Sequence, residues 1–327
     1  MNRPDFFIIG APKCGTTALV AYLAEHPDIF MARKEMHFFG SDLHFGPQFY
    51  RRNLKAYLAE FETRNGRRRA GESSVWYLLS RRAAAEIREF NPNARVVIMV
   101  REPVEMLHSL FQQFRCDGNE PLATFAGALD AEADRRAGRR LGRLTYFPQG
   151  LWYREVARYA EQVQRYFEIF GRARVRVILY EELAIDPAAV YRGVLRFLEV
   201  EPLPAKTDFG VVNGSKTLKS PLLRSILSDP WVRGTAIAAG RRLPRWGLSA
   251  MQKIESRLGQ WNTRPLKRPP LDLELQAQLR EEFAPEVGRL GELLGRDLAH
   301  WSRVNGSAAG ARPSAMAKAG QGGAGVR

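Results

Sequence analysis

The sequence predicts an α/β fold with a central parallel sheet and flanking helices, and three features predict it. An apolar run, Phe6-Phe-Ile-Ile9, enters a glycine-bounded loop and then a helical pattern that begins at Thr16. Strand-like and helix-like segments alternate from there to about Leu198, the pattern of strands joined by crossover helices. The β-branched run Arg95–Val100 is followed at once by a helical pattern over Val104–Phe114.

The elements follow in order. Phe6–Ile9 is the first expected strand. Thr16–Glu25 is the first helix, with Ala18, Leu19 and Leu23 as apolar positions and an end near His26-Pro27. Arg69–Glu72 reads as a short strand, with a helix near Arg82–Phe90. After the strand Arg95–Val100, Pro103 fits the first turn of the next helix. A long helix is expected over Leu151–Phe170, because Val156, Tyr159, Val163 and Phe167 recur at spacings of three and four. Val175–Tyr180 reads as another strand, and Asp186-Pro187 starts a helix over Ala188–Leu198. Past Leu203 a loop from Pro204 to Lys219 leads into helical segments rich in arginine and proline. The last helix is expected near Leu271–Leu294, which makes the C-terminal portion helical. Residues 1–304 are expected to form a single domain, with a ligand-binding core over about 5–224 and a basic helical region over about 225–304. The Gly-, Ala- and Ser-rich tail 305–327 lacks apolar periodicity and is expected to be disordered.

The chain has 327 residues, long enough to bury a sizeable core, and its 45% apolar content is ordinary for a globular protein. No stretch is long and apolar enough to span a membrane. The first strand begins by Phe6, which leaves no room for a signal peptide, and two cysteines, Cys14 and Cys116, make no disulfide framework. A reducing, cytoplasmic setting is the expectation. Fifty Lys and Arg against 35 Asp and Glu give a net charge of +15, which favours phosphorylated ligands, polyanions or anionic membrane surfaces. Nucleic acid is not expected, because zinc-finger spacing, an RNP-like aromatic motif and a basic zipper are all missing from the sequence.

The chemistry starts in the first loop. A loop between a strand and a helix N-terminus points several backbone N–H groups at one spot, and the helix dipole favours an anion there. Gly10 and Gly15 let backbone approach such a ligand, and Lys13 adds a mobile positive charge. The spacing Gly10-x4-Gly15 is that of a nucleoside triphosphatase loop, yet Thr16 stands where that motif has lysine, and Lys13 comes two residues before the second glycine. A second constellation is Val100-Arg-Glu-Pro-Val-Glu-Met-Leu-His-Ser109. Its strand ends at Val100, so Arg101 emerges at the strand's C-terminal end, the edge where open α/β sheets bind ligands. Arginine recognises phosphate with a planar fork, and Ser109, about two turns into the helix, adds a neutral donor.

The loop Pro12-Lys-Cys-Gly-Thr-Thr17, joined to Arg101 and Ser109, resembles the sulfotransferases that use 3′-phosphoadenosine 5′-phosphosulfate (PAPS), over Asp5 to about Arg224. The resemblance implies a P-loop-like sulfotransferase fold. It implies that Lys13, Cys14, Gly15, Thr16 and Thr17 hold the 5′-phosphosulfate and that Arg101 and Ser109 hold the 3′-phosphate. The donor would leave as adenosine 3′,5′-bisphosphate, and no metal is expected. Asn213-Gly-Ser-Lys-Thr-Leu-Lys219 resembles the loop that closes over the donor in this family, with Lys216 and Lys219 as phosphate contacts; a basic exposed turn is the other reading. Leu179–Pro187 resembles a structural strand–helix junction of the same enzymes.

The acceptor hydroxyl needs a general base. His26-Pro-Asp-Ile followed by Lys34-Glu-Met-His-Phe-Phe39 is similar to the heparan sulfate glucosaminyl sulfotransferases, both N- and 3-O-, and the similarity implies Glu35 as the base. His37 is then the supporting acceptor-site residue, carried on the same face as Glu35 by an extended segment. The sequence departs from that subfamily at Gly71-Glu-Ser-Ser-Val-Trp-Tyr77, where Ser73 stands in place of a lysine: another cation replaces it or the acceptor differs. Trp76 and Tyr77 read either as stacking platforms or as core aromatics.

The acceptor stays open, as a saccharide hydroxyl or another small or lipid-linked one. Between Arg233 and Arg268 nine Lys and Arg accompany a single acid, Glu255, and Leu248, Met251, Ile254, Leu258 and Trp261 fall at helical spacing. This stretch suits either core packing or a peripheral contact with an anionic membrane at the inner face. Two other functional classes remain at this point, a nucleotide kinase with a variant phosphate loop and a non-catalytic anion- or membrane-binding protein.

Overall fold

The computed structural model describes residues 3–46, 52–64, 66–202, 209, 216–218, 263–265 and 270–303. Its centre is a five-stranded, wholly parallel sheet. In chain order the sheet region contains β1 (Phe6–Ile8), α1 (Thr16–Ala24), β2 (Ile29–Met31), α2 (Leu54–Ala59), β3 (Arg69–Ser73), α3 (Ala83–Phe90), β4 (Arg95–Val100), α4 (Pro103–Asp117) and β5 (Val175–Leu179). The strand order is β2-β3-β1-β4-β5. β1 lies between β3 and β4, with Phe6 level with both Gly71 and Arg95.

Burial explains why these short runs are strands. Phe6, Phe7 and Ile8 and five of the six residues of β4 are buried, as the apolar runs of a sheet covered on both faces should be. Gly71 sits against the Phe6 ring, where a Cβ would lie 2.2 Å from Phe6 Cζ, so only glycine admits that ring between β1 and β3. β2 was not expected: Ile29-Phe-Met31 is too short for alternation to register, and its pairing with Arg69–Gly71 makes it a strand.

The expected long helix over Leu151–Phe170 is broken. A 3₁₀ turn over Pro148–Leu151 and a single helical turn over Tyr153–Val156 precede a helix over Tyr159–Phe170. Arg158, at φ −77° and ψ 66°, interrupts the helical backbone. The groups freed by the break find partners. Gln162 Nε2 donates to the carbonyls of Glu155 and Val156, and Glu286 accepts the Ala160 N–H at 2.7 Å. Periodicity in the sequence continues through the break because both pieces bury the same face.

The C-terminal helix, Leu273–Leu294, buries Leu279, Phe283, Val287 and Leu290. It packs on Tyr159–Phe170 and on α4, and Arg280 lies 3.5 Å from Glu102 at the start of α4. Residues 216–218, expected within a loop, form a strand paired antiparallel with Thr263–Pro265, because two extended segments distant in sequence satisfy each other's backbone groups. Lys219, most of the basic stretch 233–268 and the tail 305–327 lie outside the described residues, as does the side chain of Lys216. Among the described residues no helix is long and apolar enough to cross a membrane.

Candidate active site

The C-terminal ends of all five strands feed one cleft of about 630 Å³. The segment after β1 supplies Pro12, Lys13 and Gly15–Ala18, and that after β2 supplies Lys34, Glu35 and His37. Val75 and Trp76 follow β3, Arg101 follows β4, and Tyr180 and Leu183 follow β5. One face of α4, carrying Leu110, Gln113, Phe114 and Asp117, closes a side. Its other face, with His108, Phe111 and Arg115, borders a larger cleft of about 900 Å³ that receives none of these strand ends.

The loop after β1 is built for an anion. Gly15 is the N-cap of α1 at φ 87°, without a side-chain cap, and the first turn carries no acid. The helix N-terminus is therefore open to a ligand. A Cβ on Gly15 would lie 2.8 Å from Leu183 Cδ2, so both its backbone angle and its neighbours require glycine. Lys13 also adopts a left-handed backbone, φ 62°, and its Nζ is 3.4 Å from Gln113 Oε1. Cys14 points away from the ligand side. Its buried thiol is 3.3 Å from the Pro12 carbonyl, and burial pushes it up to about 12, so only its backbone can serve the loop.

Arg101 reaches the cleft with its guanidinium 4.7 Å from the Tyr180 ring centroid and 3.1 Å from Glu105 Oε2. Ser109 is 3% exposed and is not among the residues that line the cleft. The structure thus brings Lys13, Gly15, Thr16, Thr17 and Arg101 to one opening and sets the Cys14 and Ser109 side chains back in the core.

Glu35 and His37 face each other, Oε2 to Nε2 at 3.7 Å, but not through an extended segment. Both have left-handed backbones, at φ 58° and 48°. A residue spacing of two in a strand would not need this; the turns arise because the segment is tied to the end of β3. The Glu35 N–H donates to the Ser73 carbonyl at 2.8 Å, and the Val75 N–H donates to Glu35 Oε2 at 3.2 Å. Burial raises the Glu35 carboxyl to about 7, with a further upward push from the Glu72 charge, while Lys34 and the Val75 N–H hold it down. The imidazole of His37 stacks on Phe45, centroids 4.2 Å apart, and burial lowers it to about 4. The Glu35–His37 contact is therefore not an ion pair at neutral pH.

Beneath this pair lies a network that the sequence did not reveal. Glu72 is fully buried and accepts from Tyr57 (2.5 Å), Tyr77 (2.6 Å) and Ser74 (2.8 Å). Ser74 Oγ in turn accepts the His37 N–H, and Tyr77 OH accepts those of Phe38 and Phe39. Burial raises the Glu72 carboxyl, and its three hydroxyl donors oppose the rise. Tyr77 is thus a core residue with a polar task, not a stacking platform. Trp76 packs on Phe114 and Phe147 and shows an edge to the cleft.

Comparison with known proteins places this geometry. The family model described as a sulfotransferase domain matches residues 3–209. The chain belongs to the sulfotransferase family. Among solved structures, a sulfotransferase from Alicyclobacillus acidocaldarius is 31% identical, covers 93% of this chain and 100% of its own, and superimposes with a TM-score of 0.67. Among curated proteins, the bifunctional heparan sulfate N-deacetylase/N-sulfotransferase 1 of Caenorhabditis briggsae is 26% identical over 63% of this chain and 24% of its own. The heparan sulfate glucosamine 3-O-sulfotransferase 3B1 of Mus musculus is 26% identical over 63% of this chain and 48% of its own. This sulfotransferase thus spans a quarter to a half of the length of those curated relatives. Family and fold are those of a sulfotransferase enzyme, which sets aside the nucleotide-kinase alternative.

Proposed function

We propose that this enzyme transfers a sulfuryl group from PAPS to a hydroxyl of a saccharide acceptor, with Glu35 as general base. The observation that carries the reading is the convergence in one cleft of an uncapped helix N-terminus, Lys13, Arg101 and a carboxyl raised to about 7. The opening fits a nucleotide donor with anionic groups at both ends. The backbone N–H groups at Gly15–Thr17 and the Lys13 ammonium would hold the 5′ end, and Arg101 the 3′-phosphate. Lys216 and Lys219 are proposed as further phosphate contacts on the sequence resemblance.

The donor supplies a sulfuryl group on a phosphate leaving group. Glu35 takes the proton of the acceptor O–H as the acceptor oxygen bonds to sulfur. The bond from sulfur to the phosphate oxygen breaks, and the charge that develops on that oxygen meets Lys13. A half-buried carboxyl and a buried imidazole compete for the base role, and their basicities separate them. A carboxylate near 7 is matched to work at neutral pH, whereas an imidazole near 4 is a weak base there. His37 then orients the acceptor.

The saccharide acceptor rests on the heparan sulfate relatives, which include both N- and O-sulfotransferases. The test is calorimetric titration with adenosine 3′,5′-bisphosphate, AMP and ATP–Mg, followed by mass spectrometry of desulfated heparan sulfate incubated with enzyme and PAPS. Tight binding of the bisphosphate alone and a mass gain of one sulfuryl group are expected. Equal binding of all three nucleotides would refute the donor assignment.

A further inference from the structure

Lys34 has no part in that transfer step, yet it joins the two halves of the site. Its Nζ donates to Thr17 Oγ1 at 2.7 Å, in the first turn of α1, and lies 3.8 Å from Glu35 Oε1. It lines the same cleft as Lys13 and Arg101, and only 26% of its side chain is exposed. A lysine with a flexible stem ordinarily keeps its ammonium in water, because burying the charge is costly. Here the head is held inside, between a hydroxyl of the anion loop and a carboxylate. An ammonium has three N–H donors, and Thr17 takes one.

The neighbourhood explains why a cation is needed at this point. The Glu35 N–H is bonded to the Ser73 carbonyl, so Lys34 stands beside the end of β3. Ser73 is completely buried, and its Oγ has no partner among the described residues, so the end of β3 sends no charge into the cleft. Among the described residues the carboxylates that line the cleft are Glu35 and Asp117, and Glu72 adds its charge from behind Glu35. Lys34 is, among the described residues, the cation beside Glu35 in the cleft, 3.8 Å from its carboxylate.

We propose that Lys34 is the second cation of the sulfuryl-transfer site, contacting the transferring group on the side of the base while Lys13 meets the leaving phosphate. The inference rests on the reading of Glu35 as general base in a sulfuryl-transfer cleft. Lys34 exchanges no proton. Its charge offsets the three oxygens of the moving group and favours the ionised form of Glu35. The groups that face Glu35 are Lys34 on its own segment, His37 and Glu72, together with the Val75 N–H. The anion loop brings Lys13 and Thr17, and Arg101 and Asp117 line the remaining walls.

The test compares Lys34→Met, which keeps the stem and removes the charge, with Lys34→Arg and, separately, Glu35→Gln. Lys34→Gln replaces the methionine variant if thermal denaturation shows that the latter fails to fold. Release of adenosine 3′,5′-bisphosphate from PAPS is followed with desulfated heparan sulfate and with water as acceptors. Affinity for the bisphosphate, which lacks the sulfuryl group, is measured by calorimetry.

Lys34→Met is expected to lower kcat by about 10²-fold, the scale of a lost charge-stabilising donor. It should leave bisphosphate affinity within about twofold and move the acidic limb of the pH profile upward, because a cation that holds Glu35 down is gone. Lys34→Arg should recover much of the loss. Parental kcat with an unmoved limb would overturn the proposal. So would a loss confined to bisphosphate affinity, which would make Lys34 only a nucleotide anchor. Full activity of Glu35→Gln would instead remove the base reading on which the proposal stands, and the two failures are read from different variants.

Discussion

Replacing Glu35 with glutamine should make the protein more stable and nearly inactive, and the stability gain should depend on pH. Raising a carboxyl from 4.5 to about 7 is equivalent to about 3 kcal/mol against its ionised form. The side chain is 35% exposed to the cleft, and screening there reduces the cost of holding the charge to on the order of 1–2 kcal/mol. The sign follows from linkage. Between 4.5 and about 7 the folded state binds the proton that the unfolded state has released, so the parent loses stability as pH rises through that window. Glutamine resembles the neutral acid and can still accept the Val75 N–H. The variant should therefore match the parent near pH 4 and exceed it by about 1–2 kcal/mol at pH 8. Urea denaturation at the two pH values measures this. Turnover should fall by roughly 10²–10⁴-fold, the range for a lost general base. In the parent, kcat/KM should rise with pH through about 7, as Glu35 ionises. A variant no more stable than the parent at pH 8 would refute the electrostatic reasoning, and one that retains turnover would refute the base.

Three other perturbations bear on the same cleft. Arg101→Ala should erase most of the preference for adenosine 3′,5′-bisphosphate over AMP, read by calorimetry; unchanged discrimination would remove Arg101 from the 3′-phosphate. Lys13→Ala should lower kcat more than it weakens bisphosphate binding, because charge grows on the leaving phosphate only during transfer. An effect on binding alone would make Lys13 a ground-state anchor. Tyr77→Phe removes the oxygen that accepts from Phe38 and Phe39 and donates to Glu72, and should destabilise the fold by about 1–3 kcal/mol in urea titrations. It should also depress kcat through loosened Glu35 and His37, and parental stability with parental kcat would show that the network is idle.

The sheet was legible because its central strands are near-continuous apolar runs, and β1, β4 and β5 end within a residue of expectation. The anion loop was legible because glycines and a lysine at fixed spacing, set between a strand and a helix, suit an anion and little else. What sequence could not supply was whatever depends on contacts between distant segments. β2 is a strand only because β3 lies beside it. The break before Tyr159 depends on Glu286, 126 positions from Ala160. Glu35 and His37 were found as a pair, but the left-handed geometry that joins them is set by Ser73, Ser74, Val75 and Tyr77, and no local pattern announces it. Lys34 was visible in the motif, but its contact with Thr17 required the fold.

The position of the base is set by the end of β3, and its basicity mainly by burial. A left-handed backbone at a residue other than glycine costs on the order of 1–3 kcal/mol, and the segment contains two such residues within three positions. The hydrogen bonds that hold it against that strain all come from residues 73–77. They run from Glu35 N–H to the Ser73 carbonyl, His37 N–H to Ser74, Phe38 and Phe39 N–H to Tyr77, and Val75 N–H to the Glu35 carboxylate. Glu72 anchors the two hydroxyls among these acceptors, and its charge is one of the causes that raise Glu35. β3 is itself fixed between β2 and β1, so the template for the base is part of the rigid sheet rather than of a free loop. The aim of the carboxylate thus comes from residues 73–77 and its raised basicity chiefly from burial, with a smaller push from Glu72, which is why changes at positions 72–77 should be read in turnover as well as in stability.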